Sequence, residues 1–329
     1  MESKLGICPM STNIVDATID YAKRNDVELM LIASRRQVES ASLGGGYVFD
    51  TDGFVRYINS KDPRNILICR DHGGPYMGYN EDGLSYNAAM KRAGDSFGCD
   101  ISAGFNLLHI DCSLCNHKER DSVLSFLGMD DGVSIEIGTE ENIGCSVDVT
   151  KFKDELVFFA SRGRIEFIVG QTGSLVKETF QAGIFDFPKV KHLTGIAHSH
   201  GVRFKEHNAD YLTQDDIVLR RDAGVDAVNI GPQLATTQTR RILYFAKEYG
   251  FDDEYQNFIN AAVSTNKWRK WIYGGKLGRF NLAVISGHYA YGTDEYMTLH
   301  EKLLGEMDID VKIDEALSQI IDNYVRGMR

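Results

Sequence analysis

Short apolar runs alternate with longer segments of helical hydrophobic spacing over the first 250 residues of the chain. The apolar runs are typical of buried strands, and each intervening segment has room for a helix. Such alternation predicts βαβ units built around a parallel sheet. The predicted strands are eight in number and span residues 6–10, 27–34, 65–72, 106–113, 133–140, 165–171, 202–207 and 227–231.

Eight units of this kind within about 250 residues are typical of a (β/α)8 TIM barrel. A doubly wound open sheet is the alternative, but its phosphate fingerprint, GxGxxG after the first strand, is absent. We therefore predict a barrel over residues 1–250. Beyond Gly250 the pattern changes to helices rich in Tyr, Trp and Asn, which predicts a C-terminal helical extension, residues 251–329, packed on the barrel and available for oligomer contacts.

Local capping signals predict where several helices begin. They indicate a helix from 80–82 to Phe97, one from Thr150 to Arg162, and one that opens at 213–216 and stops at 223–224. A triple glycine at 44–46 precedes a further helix over 52–60. It indicates close backbone approach or a mobile lid, and the alternative is an ordinary flexible turn.

The composition, with 43% hydrophobic and 25% charged residues among 329, is typical of a globular protein with a sizeable core. A formal net charge of −11 argues against a nucleic-acid or anionic-membrane surface, because both require concentrated positive potential. A phosphorylated substrate stays compatible, since backbone amides and one or two local cations can hold a phosphate. Without a signal peptide or a long apolar run, we expect a cytoplasmic protein that does not span a membrane. The six cysteines, spread over the first half, are expected to be reduced thiols.

The third predicted strand ends in candidate chemistry. Its apolar run is followed by Asp71, His72 and a Gly-Gly-Pro turn. Ligands bind at the carboxyl ends of the strands in parallel α/β proteins. Asp71 is therefore a candidate acid or base, and His72 a candidate metal ligand. The alternative is a structural histidine that hydrogen-bonds a loop carbonyl.

The fourth and fifth strands carry further candidates. Asp111 and Ser113 stand at the tip of the fourth strand. Glu136 lies where a charge inside a barrel would be costly, so it is either paired or functional, and Glu140 is the candidate loop carboxylate. The run 109–117 contains two histidines and two cysteines, but a structural zinc site needs a second, separated ligand pair, which the sequence does not show.

The seventh and eighth strands are followed by polar residues as well. His207 and Asn208 close the seventh strand. The Gly-Pro turn at Gly231, with Thr236 in the helix that it opens, is where barrels often hold phosphate on backbone amides.

Three other polar residues near the seventh strand are weaker candidates. Lys205 could form a Schiff base, but surrounding histidines and carboxylates fit metal-assisted chemistry better. His198 and His200 precede the strand, so we expect them on the opposite face of the barrel, which serves stability.

Taken together, these motifs resemble the Z-type subunits of D-tagatose-1,6-bisphosphate aldolase, relatives of the class II fructose-bisphosphate aldolases. The resemblance runs in order over residues 6–250 and is less clear after Gly250. The matching segments are Ala33-Ser34, Gln37-Val38, Gly45-Gly46-Tyr47, Asp71-His72-Gly73-Gly74-Pro75, His109-Ile110-Asp111-Cys112-Ser113, Ile137-Gly138-Thr139-Glu140, Glu206-His207, Asp210-Tyr211 and Ile230-Gly231-Pro232.

The resemblance implies a barrel with a sugar-phosphate site on its carboxyl face and a divalent metal, usually Zn. In class II aldolases three histidines hold this metal, which polarises the ketose carbonyl and stabilises the enediolate formed on C–C cleavage. Asp71 matches the aspartate that moves the C4 hydroxyl proton, and His72 and His207 match two metal ligands. After the sixth strand Gln171 replaces the histidine of catalytic enzymes, as in the Z-type subunits. Glutamine is a weaker zinc ligand, so Glu140 or another carboxylate is a candidate to complete the site.

The expected catalytic residues are thus Asp71 and Glu140, and the expected metal ligands are His72, His207 and Glu140. The expected substrate-binding residues are Gln37, Asp111, Ser113, Gln171, Asn208, Gly231 and Thr236.

Three hypotheses of function remain. The first is a lyase, a metal-dependent aldolase for a phosphorylated ketose such as tagatose or fructose (bis)phosphate. The second, which Gln171 favours, is a non-catalytic subunit that supports a separate tagatose-bisphosphate aldolase. The third is a metal-dependent epimerase of a sugar or sugar acid. The expected partners are a sugar-phosphate substrate and either further copies of the chain or a catalytic aldolase subunit, with no nucleic acid and no membrane.

Overall fold

A closed barrel of eight parallel strands forms the centre of the molecule. The computed structural model describes residues 3–116, 119, 123, 126, 132–138, 148–161 and 163–329. Each barrel strand pairs with the next along the chain, and the last closes on the first, so the predicted (β/α)8 TIM barrel is confirmed. The barrel strands are β1 (Leu5–Ile7), β2 (Leu29–Ser34), β3 (Ile66–Gly73), β4 (Leu107–Asp111), β5 (Ser134–Gly138), β6 (Phe167–Val169), β7 (Arg203–Glu206) and β8 (Ala227–Ile230).

Helices pack around this barrel and follow it. Their bounds are α1 (Thr12–Asn25), α2 (Thr51–Ser60), α3 (Tyr86–Ala103), α4 (Val149–Ala160), α5 (Phe187–Ser199), α6 (Gln214–Asp222), α7 (Pro232–Glu248), α8 (Asp252–Ser264), α9 (Arg279–Ser286), α10 (Asp294–Glu306) and α11 (Ile309–Met328). Two short ladders lie outside the barrel. Val38–Glu39 pairs in parallel with Phe49–Asp50, and Val176–Lys177 forms an antiparallel hairpin with Phe180–Gln181.

The sequence predicted the start of α6 correctly and the start of α3 too early. α6 begins as predicted, with a capping box in which Thr213 and Asp216 satisfy each other's backbone amides. α3 begins later than predicted, because Ser85 is its N-cap. Upstream of it, Asn80 and Gly83 have φ values of 56° and 85°, which belong to a turn and not to a helix.

Two apolar layers hold the barrel together. Because strand side chains alternate between the interior and the helices, one layer fills the barrel and the larger one lies between the strands and the helices. The interior layer consists of Met30, Ile32, Cys69, Leu107, Phe167 and Ala227.

The last helix, α11, contacts α1, α6 and α7. Its buried face carries Ile313, Leu317, Ile321 and Tyr324. The Tyr324 hydroxyl donates a hydrogen bond of 2.6 Å to the carbonyl of Ala209 in the loop after β7. Part of the C-terminal region therefore packs directly on the helices and loops of the barrel.

Across the described ranges, no helix combines the length and the apolarity that a bilayer crossing requires. The five cysteines within those ranges are not paired with one another, and their reduced state stays a prediction.

Candidate active site

The charged residues Arg70 and Asp71 of β3 point to opposite faces of the strand. Asp71 points into the barrel and is only 6% exposed. Its neighbour Arg70 points to the helices, where it donates to both carboxylate oxygens of Asp100 in α3 at 2.6 and 2.7 Å. Because successive side chains of a strand point to opposite faces, the consecutive residues Arg70 and Asp71 can both stand in a buried strand, each with its own surroundings.

Four buried side chains meet in the carboxyl half of the barrel interior: Asp71 of β3, His109 of β4, Glu136 of β5 and His207 directly after β7. One donor atom from each lies within 4.8 Å of the others. Oδ1 of Asp71 is 3.6 Å from Nδ1 of His109 and 3.6 Å from Nδ1 of His207. His109 and Glu136 are register partners in β4 and β5, so strand pairing itself brings these two together.

His72 lies beside this cluster. Its backbone φ of 43° is unusual for a residue with a β-carbon, and such strain is common at functional sites. Nδ1 of His72 is 2.6 Å from Oδ2 of Asp111, and its backbone N–H donates to Nδ1 of His109 at 3.2 Å. The ring centroids of His72, His109 and His207 are 5.1 to 5.4 Å apart. Three imidazoles thus surround Asp71.

Two glycines leave room for this arrangement. A Cβ on Gly74, where φ is 107°, would lie 2.3 Å from the carbonyl oxygen of Asp111. A Cβ on Gly138 at the end of β5 would lie 2.8 Å from Nε2 of His109. A side chain at either position would therefore displace part of the cluster.

Lys205 and Glu136 form a buried ion pair that continues to His207. Nζ of Lys205 donates to Oε2 of Glu136 at 2.6 Å, and Oε1 of Glu136 is 2.8 Å from Nε2 of His207. Burial acts to raise the pKa of Glu136, but Lys205 and the hydrogen bond from His207 outweigh it and lower that pKa to about 2. Burial lowers the pKa of His207, although Asp71 and Glu136 oppose it. A neutral His207 that donates through Nε2 presents the lone pair of Nδ1 toward Asp71.

Asp71 and His72 carry opposite charges at neutral pH. Burial acts to raise the pKa of Asp71, but the surrounding imidazoles, first of all the charged His72, hold it below its ordinary range. Burial acts to lower the pKa of His72, but Asp71 and Asp111 outweigh it and raise that pKa to about 10.

The donor set of this cluster fits a divalent metal. The separations of 3.6 Å between Asp71 Oδ1 and the two imidazole nitrogens are too long for hydrogen bonds. Both imidazole nitrogens therefore face Asp71 without being hydrogen-bonded to it, as expected for nitrogens that bind a cation. A second donor set, His72, His109 and Asp111, shares His109 with the first. Imidazoles with carboxylates suit zinc and related ions.

Asp71 and His72 also line a cavity of about 390 Å³. This volume lies in the range of about 300–1,000 Å³ that is common for small-molecule sites. Gln37 and Asn208, two of the predicted substrate-binding residues, lie on the wall of the same cavity.

Three other predicted substrate-binding residues are placed near the cluster or beside β6. Oδ1 of Asp111 accepts a hydrogen bond of 2.9 Å from the backbone N–H of Ser113, while its other oxygen contacts His72. Gln171 is buried directly after β6. The substrate contacts of these residues stay predictions.

The Gly-Pro turn after β8 is organised by a carboxylate. The backbone N–H groups of Gly231 and Gln233 donate to Oδ1 of Asp210 at 2.9 and 2.8 Å. Burial raises the pKa of Asp210 to about 7, although these amides oppose the shift. The Thr236 hydroxyl donates to the carbonyl of Gln233 at 3.1 Å. A phosphate at this turn would compete with Asp210, and the predicted roles of Gly231 and Thr236 stay predictions.

The remaining predictions concern Glu140 and the two histidines before β7. Glu140, expected as a catalytic residue and metal ligand, lies outside the described residues. His198 contacts Asp226 at 2.7 Å just before β8 begins, which is at the amino end of the barrel. Nδ1 of His200 lies 3.0 Å from the carbonyl of Ile196.

His109 is the member of the cluster to which the sequence assigned no role. His109 precedes Asp111 by two residues, and strand periodicity places such residues on one face. That spacing was the available signal for His109. Glu136 was expected to be either paired or functional, and it is paired with Lys205 and His207.

Solved structures share this fold, while no family model matches the chain. A probable tagatose 6-phosphate kinase from Sinorhizobium meliloti 1021 has a TM-score of 0.82 at 16% identity, over 98% of this chain and 99% of that one. A fructuronate-tagaturonate epimerase from Cohnella laeviribosi has a TM-score of 0.65 at 10% identity, over 99% and 81%. A fructose-bisphosphate aldolase from Campylobacter jejuni has a TM-score of 0.60 at 12% identity, over 99% and 90%. The chain therefore shares the barrel fold of these three proteins.

Proposed function

We propose that this chain is a metal-dependent aldolase of the class II type, a lyase that cleaves a phosphorylated ketose such as tagatose or fructose (bis)phosphate. The observation that carries the proposal is the meeting of three imidazoles around Asp71, next to an open cavity. The motif resemblance to the aldolase Z-type subunits supports it, and so does the barrel shared with a fructose-bisphosphate aldolase.

His72, His109 and His207 would hold the metal, with Glu136 orienting His207. His72 would lose its proton to solvent on metal binding, because only the neutral imidazole is a ligand. When bound, a divalent cation such as Zn²⁺ polarises the ketose carbonyl and stabilises the negative charge that C–C cleavage leaves on oxygen. Catalytic class II aldolases have a histidine after the sixth strand, where this chain has Gln171. In this proposal His109 of β4 supplies the third imidazole instead. The described residues therefore offer a donor set without Glu140.

Asp71 is placed to move the proton. Its lowered pKa keeps the carboxylate ionised, and its Oδ1 has no hydrogen-bond partner among the described residues. We assign to Asp71 the removal of the C4 hydroxyl proton as the C3–C4 bond breaks and its electrons move toward the C2 carbonyl. In the direction of synthesis Asp71 returns the proton to the C4 oxygen.

The cavity walls position the sugar. Oε1 of Gln37 accepts a hydrogen bond of 2.9 Å from the backbone N–H of Ser34, which fixes the Gln37 side chain at the wall. Asn208, on the same wall, directly follows His207. These amides are suited to sugar hydroxyl groups, which both donate and accept hydrogen bonds.

Product analysis by NMR in deuterated water tests the proposal. The metal-loaded protein is incubated with tagatose 1,6-bisphosphate and fructose 1,6-bisphosphate, and cleavage yields two triose phosphates. Asp71→Asn should slow cleavage by about 100-fold or more, since a positioned base contributes about 10²–10⁴-fold. The control His198→Gln removes an exposed histidine at the other end of the barrel. A metal-loaded wild-type protein that cleaves no ketose phosphate would refute the proposal.

The epimerase is a second candidate because the barrel is also shared with a fructuronate-tagaturonate epimerase. The same base and metal site could remove and return a proton without breaking the carbon chain. In the NMR experiment, solvent deuterium at a carbinol carbon of an intact sugar identifies epimerisation and excludes cleavage as the reaction.

The non-catalytic subunit is the third candidate, and Gln171 after β6 is the observation that favours it. It predicts a protein that is inactive alone and that raises the activity or stability of a catalytic aldolase on co-expression. Activity of the chain purified alone, without such a partner, would rule this candidate out.

A further inference from the structure

Four cationic side chains line the cavity that Asp71 and His72 also line. None of the four forms an ion pair with a carboxylate in the parts of the chain that the structure describes. The chain as a whole carries a net charge of −11, so unpaired positive charge at this cavity is not a general property of its surface. The four residues are Arg36, Lys267, Arg269 and Lys270.

Three of these cations belong to one short segment, the 3-10 helix Lys267–Trp271. The backbone N–H of Glu178, in the hairpin after β6, donates to the carbonyl of Trp271 at 2.7 Å. Nε2 of Gln181 in the same hairpin donates to the carbonyl of Asn208 at 2.9 Å. Because Asn208 follows His207, these bonds fix the cationic segment relative to the proposed metal site.

Lys270 lies among aromatic rings and faces the charge of Arg36. Its Nζ is 4.6 Å from the ring centroid of Trp271 and 5.9 Å from that of Tyr289. The nearby rings displace part of the water around Lys270 and lower its pKa, and Arg36 lowers it further, to about 8, although both side chains stay exposed. The two like charges repel each other, and an anion bound to both would reduce that repulsion.

The alternative anion site in the barrel is already filled by protein. The amides of Gly231 and Gln233, where a phosphate was expected, donate to Asp210. The cationic wall of the cavity is therefore better suited to an anion than the turn after β8.

We propose that Arg36 and Lys270, with Lys267 and Arg269 beside them, bind the anionic end of a sugar whose reacting end lies at Asp71 and His72. The ligand group is a phosphate or a carboxylate. The identity of the sugar rests on the proposed function. The anion site itself is inferred from the four cations and from the hydrogen bonds that fix the segment Lys267–Trp271.

Titration calorimetry with inorganic phosphate at low ionic strength tests this site on the full-length protein. Arg36→Gln/Lys270→Gln should weaken phosphate binding by about tenfold or more, because it removes two charge-assisted contacts. The matched control is Arg56→Gln/Lys276→Gln, which removes the same charge from two exposed residues outside the cavity lining and should leave the affinity unchanged. All proteins are compared at equal metal content, since a bound cation would itself attract phosphate.

Wild-type affinity in Arg36→Gln/Lys270→Gln would overturn the proposal, and so would an equal loss in the control. Titrations with glucose 6-phosphate and with gluconate then identify the preferred anion. Tighter binding of the phosphate ester assigns a sugar phosphate, and tighter binding of gluconate assigns a sugar acid, provided that the binding depends on Arg36 and Lys270.

Failure of this proposal and failure of the proposed function give different results. Phosphate binding needs neither metal nor turnover, so chelator-treated protein should retain it. If the protein binds phosphate through Arg36 and Lys270 but cleaves no ketose phosphate, the anion site is supported and the aldolase proposal is contradicted. If the protein cleaves ketose phosphates and the KM is the same in the two double variants, the aldolase proposal is supported and the anion site is contradicted.

Discussion

His109 supplies a third imidazole in a chain that has Gln171 after β6. Its Nδ1 accepts the backbone N–H of His72 at 3.2 Å, so metal binding through this atom replaces a hydrogen bond by a ligand bond. The ring is only 2% exposed, and its Nε2 has no hydrogen-bond partner among the described residues. Buried polar groups without a partner are rare and costly, which is consistent with a functional role for His109.

His109→Gln should lower the affinity for zinc by at least about tenfold, because even residues that only orient a metal ligand change affinity by about 10–100-fold. Competition with a chromogenic chelator measures this affinity. His198→Gln serves as the control, since His198 pairs with Asp226 at the other end of the barrel. Unchanged zinc affinity in His109→Gln would show that His109 is not a ligand.

Lys270 makes anion binding depend on pH. Its pKa of about 8 lies below the ordinary lysine value, so Lys270 loses its proton as the pH rises from 7 to 9.5. Sulfate keeps its charge over this range, and the pKa values of the neighbouring Tyr79 and Tyr289 are raised by burial, so these groups stay neutral. Sulfate affinity should therefore fall with rising pH, by about tenfold for one lost charge contact.

Lys270→Arg should abolish this fall between pH 7 and about 9, because a guanidinium group stays protonated and His72, with a pKa of about 10, keeps its charge there. Calorimetric titrations with sulfate at several pH values check both statements. An equally steep fall in Lys270→Arg would mean that another group titrates.

At the scale of elements, β3 depends on the ion pair that its outer face makes with α3. Arg70 and Asp100 are both fully buried, and Arg70 also donates to the carbonyls of Ala33 and Val38. Removal of one partner leaves an uncompensated buried charge. This pair therefore fixes the strand whose other face carries Asp71.

Arg70→Met should lower the free energy of unfolding by about 3–5 kcal/mol. Urea denaturation followed by circular dichroism measures the loss. In the control Arg24→Met, the lost partner is Asp314 in an exposed pair of 3.4 Å, so the change should stay within about 1 kcal/mol. Arg70→Met/Asp100→Leu should recover part of the stability, and a double variant no better than the single one would contradict a charge-based cause.

The apolar runs were sufficient to predict all eight barrel strands, because each buried strand interrupts a longer helical pattern. Asp71, His72 and His207 could be proposed from their positions at strand ends. His109 lies inside a five-residue buried strand, where a histidine is also compatible with a core role. Its assignment requires the register of β4 against β5, which pairs His109 with Glu136 and which no local pattern specifies.

At the scale of the whole molecule, the C-terminal region contributes to both packing and the cavity. Lys267–Trp271 reaches the cavity wall although about sixty residues of sequence separate it from His207, the last residue of the proposed metal site. This placement depends on the hairpin after β6 and on tertiary contacts, so spacing along the chain could not predict it. The expected division of the chain into a barrel domain, residues 1–250, and a helical extension, residues 251–329, stays a prediction.

A chain that ends at Gly250 should not fold cooperatively. It loses α11, whose Ile313, Leu317 and Ile321 are fully buried against the barrel helices. Each such side chain contributes about 1.5–3 kcal/mol, and the net stability of a typical protein is only about 5–15 kcal/mol. Urea denaturation of the truncated chain checks this. A cooperative transition with the stability of the full chain would show that the barrel is independent of the extension.

The most direct test of the proposed aldolase is the metal dependence of ketose-phosphate cleavage, measured as triose phosphate released from tagatose 1,6-bisphosphate or fructose 1,6-bisphosphate. The purified chain should release triose phosphate when loaded with zinc, stop after chelation, and recover when zinc is added back. His207→Ala should release none under any of these conditions. Release that persists after complete removal of metal, or no release from the zinc-loaded chain, would contradict the proposed function.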